Sequence, residues 1–287
     1  MKTANDYYKE KWGSKVYKLS LSCGFTCPNR DGTCGTEGCS FCKGGSGAFA
    51  ADGTDILSQL ESAKKLVEHK NKSGKYIAYL QAFSGTYAPL DKLTYIYNTA
   101  ISPDYIVGLA VATRPDCIND EVIALLCKLN EIKPVSVELG LQTASDETAA
   151  AFGRGYKTEV YEKIMQKLRE NGLETVTHII IGLPGETKED AVRTTRLAVK
   201  CGTHGVKFHL LHVLTGTRLE KEYREGRFEC LTLPQYAEIL KECIAVLPPE
   251  TVVHRITGDG AKRDLVAPLW SADKKKTLNY LRKELSI

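Results

Sequence analysis

The sequence lacks the features of an exported or membrane-spanning protein. Its first ten residues contain no apolar segment of the kind that forms the centre of a signal peptide. No run of about 18 consecutive apolar residues occurs, which argues against a transmembrane helix. We therefore expect a cytoplasmic protein.

The sequence also lacks a large excess of charge of either sign. The chain has 39 Lys and Arg residues against 35 Asp and Glu residues, which gives a net charge of +4. This small surplus permits a nucleic-acid partner without requiring one. Low-complexity segments and short repeats are absent as well, so we expect a single globular unit.

Segments with the pattern of a strand alternate with segments that have the pattern of a helix. Thr232 and Gln235 have the spacing of a capping box, and Gly172 and Gly202 follow two predicted helix ends. The predicted strands are 16–23, 75–81, 105–113, 135–142, 174–183, 205–214 and a short one at 251–257. The predicted helices are 57–70, 90–101, 119–133, 156–171, 187–201 and 232–247.

Six strand–helix units in series predict a parallel sheet, because parallel strands need crossover connections. An open sheet with helices on both faces and a partial barrel are the alternatives. Glu138 and Gln142 share one face of the fourth predicted strand, and Lys207 and His209 share one face of the sixth. A sheet covered on both faces would be apolar on both, so we favour an α/β fold with a partial (β/α)6 barrel. The expected parts are a lead-in at 1–15, the barrel at 16–258 and a C-terminal extension at 259–287.

Cysteine is abundant, and half of the ten cysteines lie within one short segment. Such a cluster in a reducing compartment points to a metal site, and thiolates suit zinc or iron–sulfur centres. The segment follows the first predicted strand, at the end of a barrel where loops build active sites. The clustered cysteines are Cys23, Cys27, Cys34, Cys39 and Cys42. The scattered ones, expected to be small buried residues, are Cys117, Cys127, Cys201, Cys230 and Cys243.

Two runs inside this segment, CPNRDGT at 27–33 and GCSFC at 38–42, carry a family resemblance. They resemble radical S-adenosylmethionine (SAM) enzymes close to the catalytic subunit of Elongator, in particular the YhcC/YtqA-like group. The resemblance covers nearly the whole chain, and its further motifs lie at strand ends in matching order. These motifs are YLQAFSGTY at 79–87, ATRPD at 112–116, ELGLQ at 138–142, RGY at 154–156, GLPGET at 182–187 and RITGDG at 255–260.

The resemblance implies that Cys27, Cys39 and Cys42 hold a [4Fe-4S] cluster with one iron open to SAM. Their spacing differs from the commoner radical SAM pattern, in which the first gap is much shorter. Cys23 and Cys27 have that shorter gap, but no third cysteine follows at the matching distance. The alternative is a structural zinc site with Cys34 or Cys23 as its fourth ligand. The roles of Cys23 and Cys34 therefore stay open.

The same motifs and the inward strand faces suggest a set of SAM-binding residues. For some of them a structural role is an alternative: Phe41 as a loop anchor, Glu138 in a buried ion pair with Lys18 or Lys207, and Arg154 as a surface residue. His178 is either inward-facing or a core histidine. The candidates for SAM binding are Phe41, Ser84, Gly85, Thr86, Arg114, Glu138, Gln142 and Arg154.

Similarity to Elongator implies tRNA as substrate, with chemistry at the wobble uridine. No residues remain for the acetyltransferase domain that Elongator proteins carry, so we expect a radical step that remodels an existing 5-substituent. A flavodoxin or ferredoxin is the expected electron donor. The alternatives are a small metabolite or another macromolecule as substrate, or a zinc-stabilised RNA-binding module. Lys75 and the C-terminal basic residues Lys262, Arg263, Lys274, Lys275 and Lys276 are possible substrate contacts.

Overall fold

A computed structural model describes residues 1–44, 55–258 and 260–286. Short apolar or alternating segments form its strands, in keeping with the pattern of the sequence. The strands are β1 (Lys2–Thr3), β2 (Tyr17–Leu21), β3 (Tyr76–Leu80), β4 (Ile106–Thr113), β5 (Val135–Gln142), β6 (Glu174–Ile181), β7 (Gly205–Leu210), β8 (Val213–Leu214), β9 (Val252–Arg255) and β10 (Leu265–Ala267).

Helices follow most strands and carry the chain back across the sheet. Thr232 caps its helix through the expected capping box with Gln235, and Gly172 and Gly202 follow helix ends with left-handed backbones. The helices are α1 (Ala4–Trp12), α2 (Ile56–Val67), α3 (Leu90–Ile101), α4 (Asp120–Ile132), α5 (Asp146–Ala151), α6 (Thr158–Glu170), α7 (Lys188–Lys200), α8 (Arg218–Arg224), α9 (Leu233–Ala245) and α10 (Lys274–Glu284).

Eight of the described strands form one parallel sheet in the order β1-β9-β7-β6-β5-β4-β3-β2. From β2 to β7 each strand lies beside the next one in the chain. A doubly wound sheet would reverse this order at a switch point. The uniform order is that of a curled sheet with helices on its outer face, which confirms the predicted partial barrel.

Apolar residues fill the space between the sheet and the outer helices. Leu19, Leu80, Val137 and Phe208 belong to this core, and each is essentially inaccessible to solvent. The inner face differs, because charged and polar side chains point from several strands toward the barrel axis. The outer face of the sheet is therefore apolar and the inner face is polar, as the strand patterns predict.

The first residues of the chain join the barrel. β1 pairs with β9, with Lys2 opposite Val252, and α1 then crosses the amino ends of the strands. On α1, Tyr8 and Trp12 pack near Ile77 inside a small apolar cluster. No pattern in the sequence predicts β1, since a strand of two residues has no periodicity to recognise.

The C-terminal segment packs beside the barrel mouth. β10 pairs with β8 in an antiparallel arrangement, and α10 contacts α9. The strand expected at 205–214 is broken after Leu210 and resumes at Val213. Across the described ranges, none of the helices combines the length and apolar character that a bilayer crossing requires.

Candidate active site

A cavity of about 670 Å³ occupies the barrel interior and opens at the carboxyl ends of the strands. Its walls come from strand ends and from the loops that follow them, which is where barrel enzymes place their reactive groups. Cys27, Cys39 and Cys42 all line it. The structure therefore brings the three expected cluster ligands to one space.

The cysteine loop is held in shape by its own backbone. The amide of Arg30 donates to the carbonyl of Cys27 at 2.8 Å, and the amide of Cys42 donates to the carbonyl of Cys39 at 2.9 Å. The guanidinium of Arg30 also bonds the carbonyl of Cys42. Gly38 is required here, because a Cβ atom on it would lie 2.9 Å from that guanidinium. Arg30 thus ties the two halves of the loop together.

Nitrogen donors face two of the sulfur atoms. Nδ2 of Asn29 lies 3.5 Å from Sγ of Cys39, and Nη1 of Arg114 lies 3.8 Å from Sγ of Cys27. Burial raises the pKa of Cys39 to about 11. A thiolate at Cys39 therefore depends on a bound metal centre or on hydrogen-bond donors such as Asn29 to stabilise its charge.

The other two clustered cysteines lie elsewhere. Cys23 is buried in the core beside Phe25, and burial raises its pKa to about 12. Cys34 is exposed and lines a separate groove on the outside of the loop. Within 1–44, 55–258 and 260–286, no three His, Cys, Asp or Glu side chains are grouped around one point as ligands of a single ion would be. Neither Cys23 nor Cys34, the fourth ligand that the zinc alternative needs, lines the cavity that Cys27, Cys39 and Cys42 share.

Six of the eight expected SAM-binding residues line the same cavity. Phe41 packs on Phe152 with ring centroids 5.2 Å apart, so the role of loop anchor is present as well. Gln142 has a left-handed backbone and accepts a hydrogen bond from Tyr156 at 3.3 Å. The six residues are Phe41, Ser84, Arg114, Glu138, Gln142 and Arg154.

Gly85 and Thr86 are not among the lining residues. A Cβ atom at Gly85 would lie 2.9 Å from the carbonyl oxygen of Ala112, so only glycine lets the loop approach β4 this closely. The hydroxyl of Thr86 lies 2.6 Å from that of Thr113 and 2.7 Å from the carbonyl of Cys117, outside the cavity. Their contribution in this structure is to fix the loop that carries Ser84.

Arg114 is held beside the cluster loop. Its Nε and Nη2 donate to the two carboxylate oxygens of Asp116 at 2.9 and 2.7 Å, which leaves Nη1 directed at Cys27. The guanidinium also lies 5.0 Å from the ring centre of Tyr156. Paired with Asp116 and stacked on a ring, it keeps a pKa above its ordinary value.

Arg154 is fully buried, so the alternative of a surface arginine is wrong. Its guanidinium bonds the carbonyls of Leu141 and Thr143, each at 2.8 Å, and forms an ion pair with Asp146 at 2.9 Å. Its Nε donates to the carbonyl of Tyr156 at 2.9 Å. The side chain ties the end of β5 to the loop before α6.

Below the cysteines, Glu138 is the centre of a buried polar group. Lys18 bonds one of its carboxylate oxygens, and Lys207 bonds the other. Tyr79 donates to Oε2 at 2.7 Å, and Nε2 of His178 lies 2.9 Å from the same oxygen. Both ion pairs that the sequence left open for Glu138 are present. We refer to Lys18, Tyr79, Glu138, His178 and Lys207 as the barrel-floor cluster.

Burial and charge shift the titration of this cluster. The ammonium groups of Lys18 and Lys207 and the bond from His178 hold the pKa of Glu138 well below its usual value, against the effect of burial. Burial lowers the pKa of His178 to about 4, so this histidine is neutral near pH 7. Burial and the neighbouring charge of Lys18 lower the pKa of Lys207 to about 7, against the attraction of Glu138.

The cavity also contains residues to which the sequence patterns assign no role. These are Tyr79, His209 and Arg255, which all line it. Their positions on the inward faces of the strands are the sequence feature that could have identified them.

Lys75 lies at the opposite end of the barrel, where its Nζ donates to the carbonyl of Trp12 at 2.9 Å. The basic C-terminal residues Lys262, Arg263, Lys274, Lys275 and Lys276 are all exposed or nearly so and do not line the cavity.

Comparison with known families decides the class of this site. Residues 26–198 match the model of the radical SAM superfamily, and residues 203–286 match a radical SAM C-terminal domain. The chain belongs to the radical SAM superfamily. Enzymes of this superfamily use a [4Fe-4S] cluster and SAM.

Relatives of this radical SAM protein support the assignment. It is 41% identical over 285 residues to the uncharacterised protein YtqA of Bacillus subtilis, covering 99% of this chain and 88% of YtqA. A tRNA uridine(34) acetyltransferase of Dehalococcoides mccartyi is 29% identical over 177 residues, which are 60% of this chain and 36% of that protein. The structure of Elp3 from Methanocaldococcus infernus, lacking residues 1–46, superposes with a TM-score of 0.70 at 18% identity, covering 94% of this chain and 63% of that one. The last comparison establishes the shared fold.

The residues of the cavity fit the cofactors of the superfamily. Three thiol groups line it, two of them with N–H donors directed at sulfur, which is the surrounding that a thiolate-bound cluster needs. The whole cavity has a volume of about 670 Å³, which is within the range of pockets that hold molecules of the size of SAM.

Proposed function

We propose that this protein binds a [4Fe-4S] cluster through Cys27, Cys39 and Cys42 and uses it to modify the wobble uridine of tRNA. One observation carries the proposal: the three thiols line the same cavity as four residues of the barrel-floor cluster, Tyr79, Glu138, His178 and Lys207. When bound, the cluster supplies the electron that splits SAM and yields a 5′-deoxyadenosyl radical. The substrate position to be remodelled is an existing substituent at the 5-position of uridine.

The residues of the chain have distinct tasks in this scheme. Arg114 and Asn29 direct N–H groups at the cluster sulfurs, and Phe41 closes the apolar side of the cavity against Phe152. Ser84 and Gln142 are the side chains that we assign to SAM, since both line the cavity above the floor. Arg154, engaged by backbone carbonyls, positions the β5 end that carries Gln142.

One observation supports tRNA over other substrates. The relative from Dehalococcoides mccartyi carries the name of a tRNA uridine(34) acetyltransferase, and its similarity covers 60% of this chain. Acetyl transfer is not part of the proposal, because the match covers only 36% of that relative.

The first test is SAM cleavage by anaerobically reconstituted protein. With dithionite, or with a flavodoxin or ferredoxin as the electron donor, we expect release of 5′-deoxyadenosine. The triple variant Cys27→Ala/Cys39→Ala/Cys42→Ala should release none, whereas the control Cys34→Ala should keep the activity, since Cys34 lies outside the cavity. A cleaving triple variant, or an inactive wild type that contains zinc in place of iron, would contradict the proposal.

The second test identifies the substrate. Unmodified and partly modified tRNA are added, and turnover is followed by mass spectrometry of the nucleosides. A change confined to position 34, with binding that weakens steeply as salt is raised, supports tRNA. If SAM cleavage instead responds to small metabolites and ignores tRNA, the tRNA part is wrong and the radical SAM part stands.

A further inference from the structure

The barrel-floor cluster carries more positive than negative charge. Among the described residues, Lys18 and Lys207 both pair with a single carboxylate, that of Glu138. Unbalanced charge in a buried space is costly unless a partner compensates for it. The floor is therefore suited to an incoming anion.

Two polar atoms on β7 are available for such an anion. Nζ of Lys207 has three N–H groups, and its bonds within the protein go to Glu138 and to Tyr79, the latter at 3.1 Å. Nε2 of His209 is buried and has no hydrogen-bond partner within the described part of the chain. Lys207 and His209 are two residues apart on one strand, so both side chains point toward the cavity, which they line.

Neighbouring side chains leave room at this position. On β4 the inward residues are Ala110 and Ala112, which are small and buried. The ring of His178 lies 5.0 Å from that of His209 and forms the side of the space opposite β9. A buried polar atom without a partner is rare in proteins and calls for an unseen ligand or water.

We propose that Lys207 and His209 bind a carboxylate group of the substrate at the floor of the barrel, a site separate from the one that holds SAM. A carboxylate carries one negative charge, which matches the surplus of one ammonium over Glu138 when Lys207 is protonated. A phosphate monoester carries nearly two negative charges at neutral pH and three anionic oxygens, more than one lysine and one neutral imidazole satisfy. The inference rests on the proposed function only in placing the reacting part of the substrate in this cavity.

Binding of a small carboxylate tests the site without any turnover. Trifluoroacetate is titrated into the reconstituted full chain, saturated with SAM and kept free of reductant, and its ¹⁹F line width is followed by NMR. Trifluoroethanol serves as the neutral control. We expect trifluoroacetate to bind and trifluoroethanol not to bind, since only the former carries the charge that the floor lacks.

Variants locate the bound probe. Lys207→Met and His209→Phe should each raise its dissociation constant at least about tenfold, the loss expected for a charge-assisted or buried hydrogen bond. Lys207→Arg should retain binding within a few-fold, which guards against a merely misfolded Lys207→Met. Lys275→Met, with the same change of charge at an exposed residue, should bind as wild type does.

The outcomes separate the two proposals. Unchanged binding in both Lys207→Met and His209→Phe would overturn the carboxylate site. Weaker binding of the probe with SAM present than in a parallel titration without SAM would do the same, as would binding of inorganic phosphate in its place. A protein that binds trifluoroacetate at these residues but cleaves no SAM would refute the proposed function and leave this site intact. A protein that cleaves SAM but binds no carboxylate would do the reverse.

Discussion

Nε2 of His178 lies 2.9 Å from Oε2 of Glu138, across the boundary between β5 and β6. Because burial keeps His178 neutral near pH 7, this contact is a hydrogen bond to a charged carboxylate and adds no positive charge. Lys18 and Lys207 supply the charge that holds Glu138 ionised. The stability of the barrel interior therefore depends on one carboxylate with four partners.

Glu138→Gln is expected to destabilise the fold strongly. The amide leaves two buried ammonium groups without their counter-charge, and breaking a buried ion pair in this way costs about 3–5 kcal/mol. Urea unfolding monitored by circular dichroism measures the loss. Glu131→Gln, at an exposed position of α4, is the matched control and should unfold like wild type. Equal stability of the two variants would show that the ion pairs contribute nothing.

Acid should weaken the fold before the carboxylates titrate. His178 has a pKa of about 4 in the folded protein against 6.5 for the ordinary value, so between these pH values the unfolded chain binds a proton that the folded one does not. The free energy of unfolding then falls as pH is lowered, by about 3 kcal/mol for this residue. His209 and His254, whose pKa values burial also lowers, act in the same direction.

His178→Gln isolates one part of this dependence. Urea unfolding at pH 7 and pH 4.5 should show a smaller decline for the variant than for wild type. Glutamine retains an N–H donor toward Glu138 but does not titrate, so its stability at pH 7 is the internal reference. Identical slopes in the two proteins would mean that His178 is protonated in the folded state as well.

Arg154→Met is expected to destabilise the end of β5. The change removes bonds to the carbonyls of Leu141, Thr143 and Tyr156 and leaves these acceptors buried, which costs at least about 3 kcal/mol in sum. Arg224→Met, at an exposed helix position, is the control and should leave the unfolding midpoint unchanged. In the folded fraction, a KM for SAM equal to that of wild type would assign Arg154 a positioning role alone.

Gly155→Ala should disturb the cluster loop from outside. A Cβ atom at this position would lie 2.7 Å from Oδ1 of Asn29 and 3.3 Å from Nη2 of Arg114, the two residues whose nitrogens face the cluster sulfurs. Gly172→Ala is the control, since its backbone is equally left-handed but no atom lies within 4 Å. We expect lower iron content after reconstitution in Gly155→Ala only; equal iron in both variants would mean that the loop adjusts without loss.

Single cysteine changes should divide the clustered thiols into two groups. Cys42→Ala removes a cavity thiol and should abolish the brown colour and most of the iron, while Cys34→Ala should keep about four irons per chain, as a complete cluster requires. Iron and sulfide assays with absorption spectra measure both. Full iron content in Cys42→Ala would remove this residue from the ligand set.

Much of the barrel was predictable because its elements are long and periodic. The inward faces of β5 and β7 were visible as alternation, and so Glu138, Gln142 and Lys207 were assigned to the interior. An ion pair of Glu138 with Lys18 or Lys207 is one of the two alternatives that the sequence allows, because buried charged residues are usually paired. The pattern does not decide which lysine pairs with Glu138, because that depends on how the sheet curls.

Other features are invisible to a reading of local pattern. Arg154 stands in a loop, where arginine is usually exposed, yet carbonyls at the end of β5 enclose it. Thr86 follows the same strand as Ser84 but faces the opposite side, because the loop turns between them. Such positions are set by contacts between segments far apart in the chain, which spacing along the sequence does not encode.

The pairing of β1 with β9 has a consequence for the order in which the molecule assembles. Lys2 and Thr3 find their sheet partners at Val252 and Val253, so β1 has no place in the sheet until β9, far along the chain, has been made. Contacts of such sequence separation form late and slowly. Until then α1 lacks its contacts with β9, and the ring of Tyr8 lacks its contact with His254 at the amino end of the barrel.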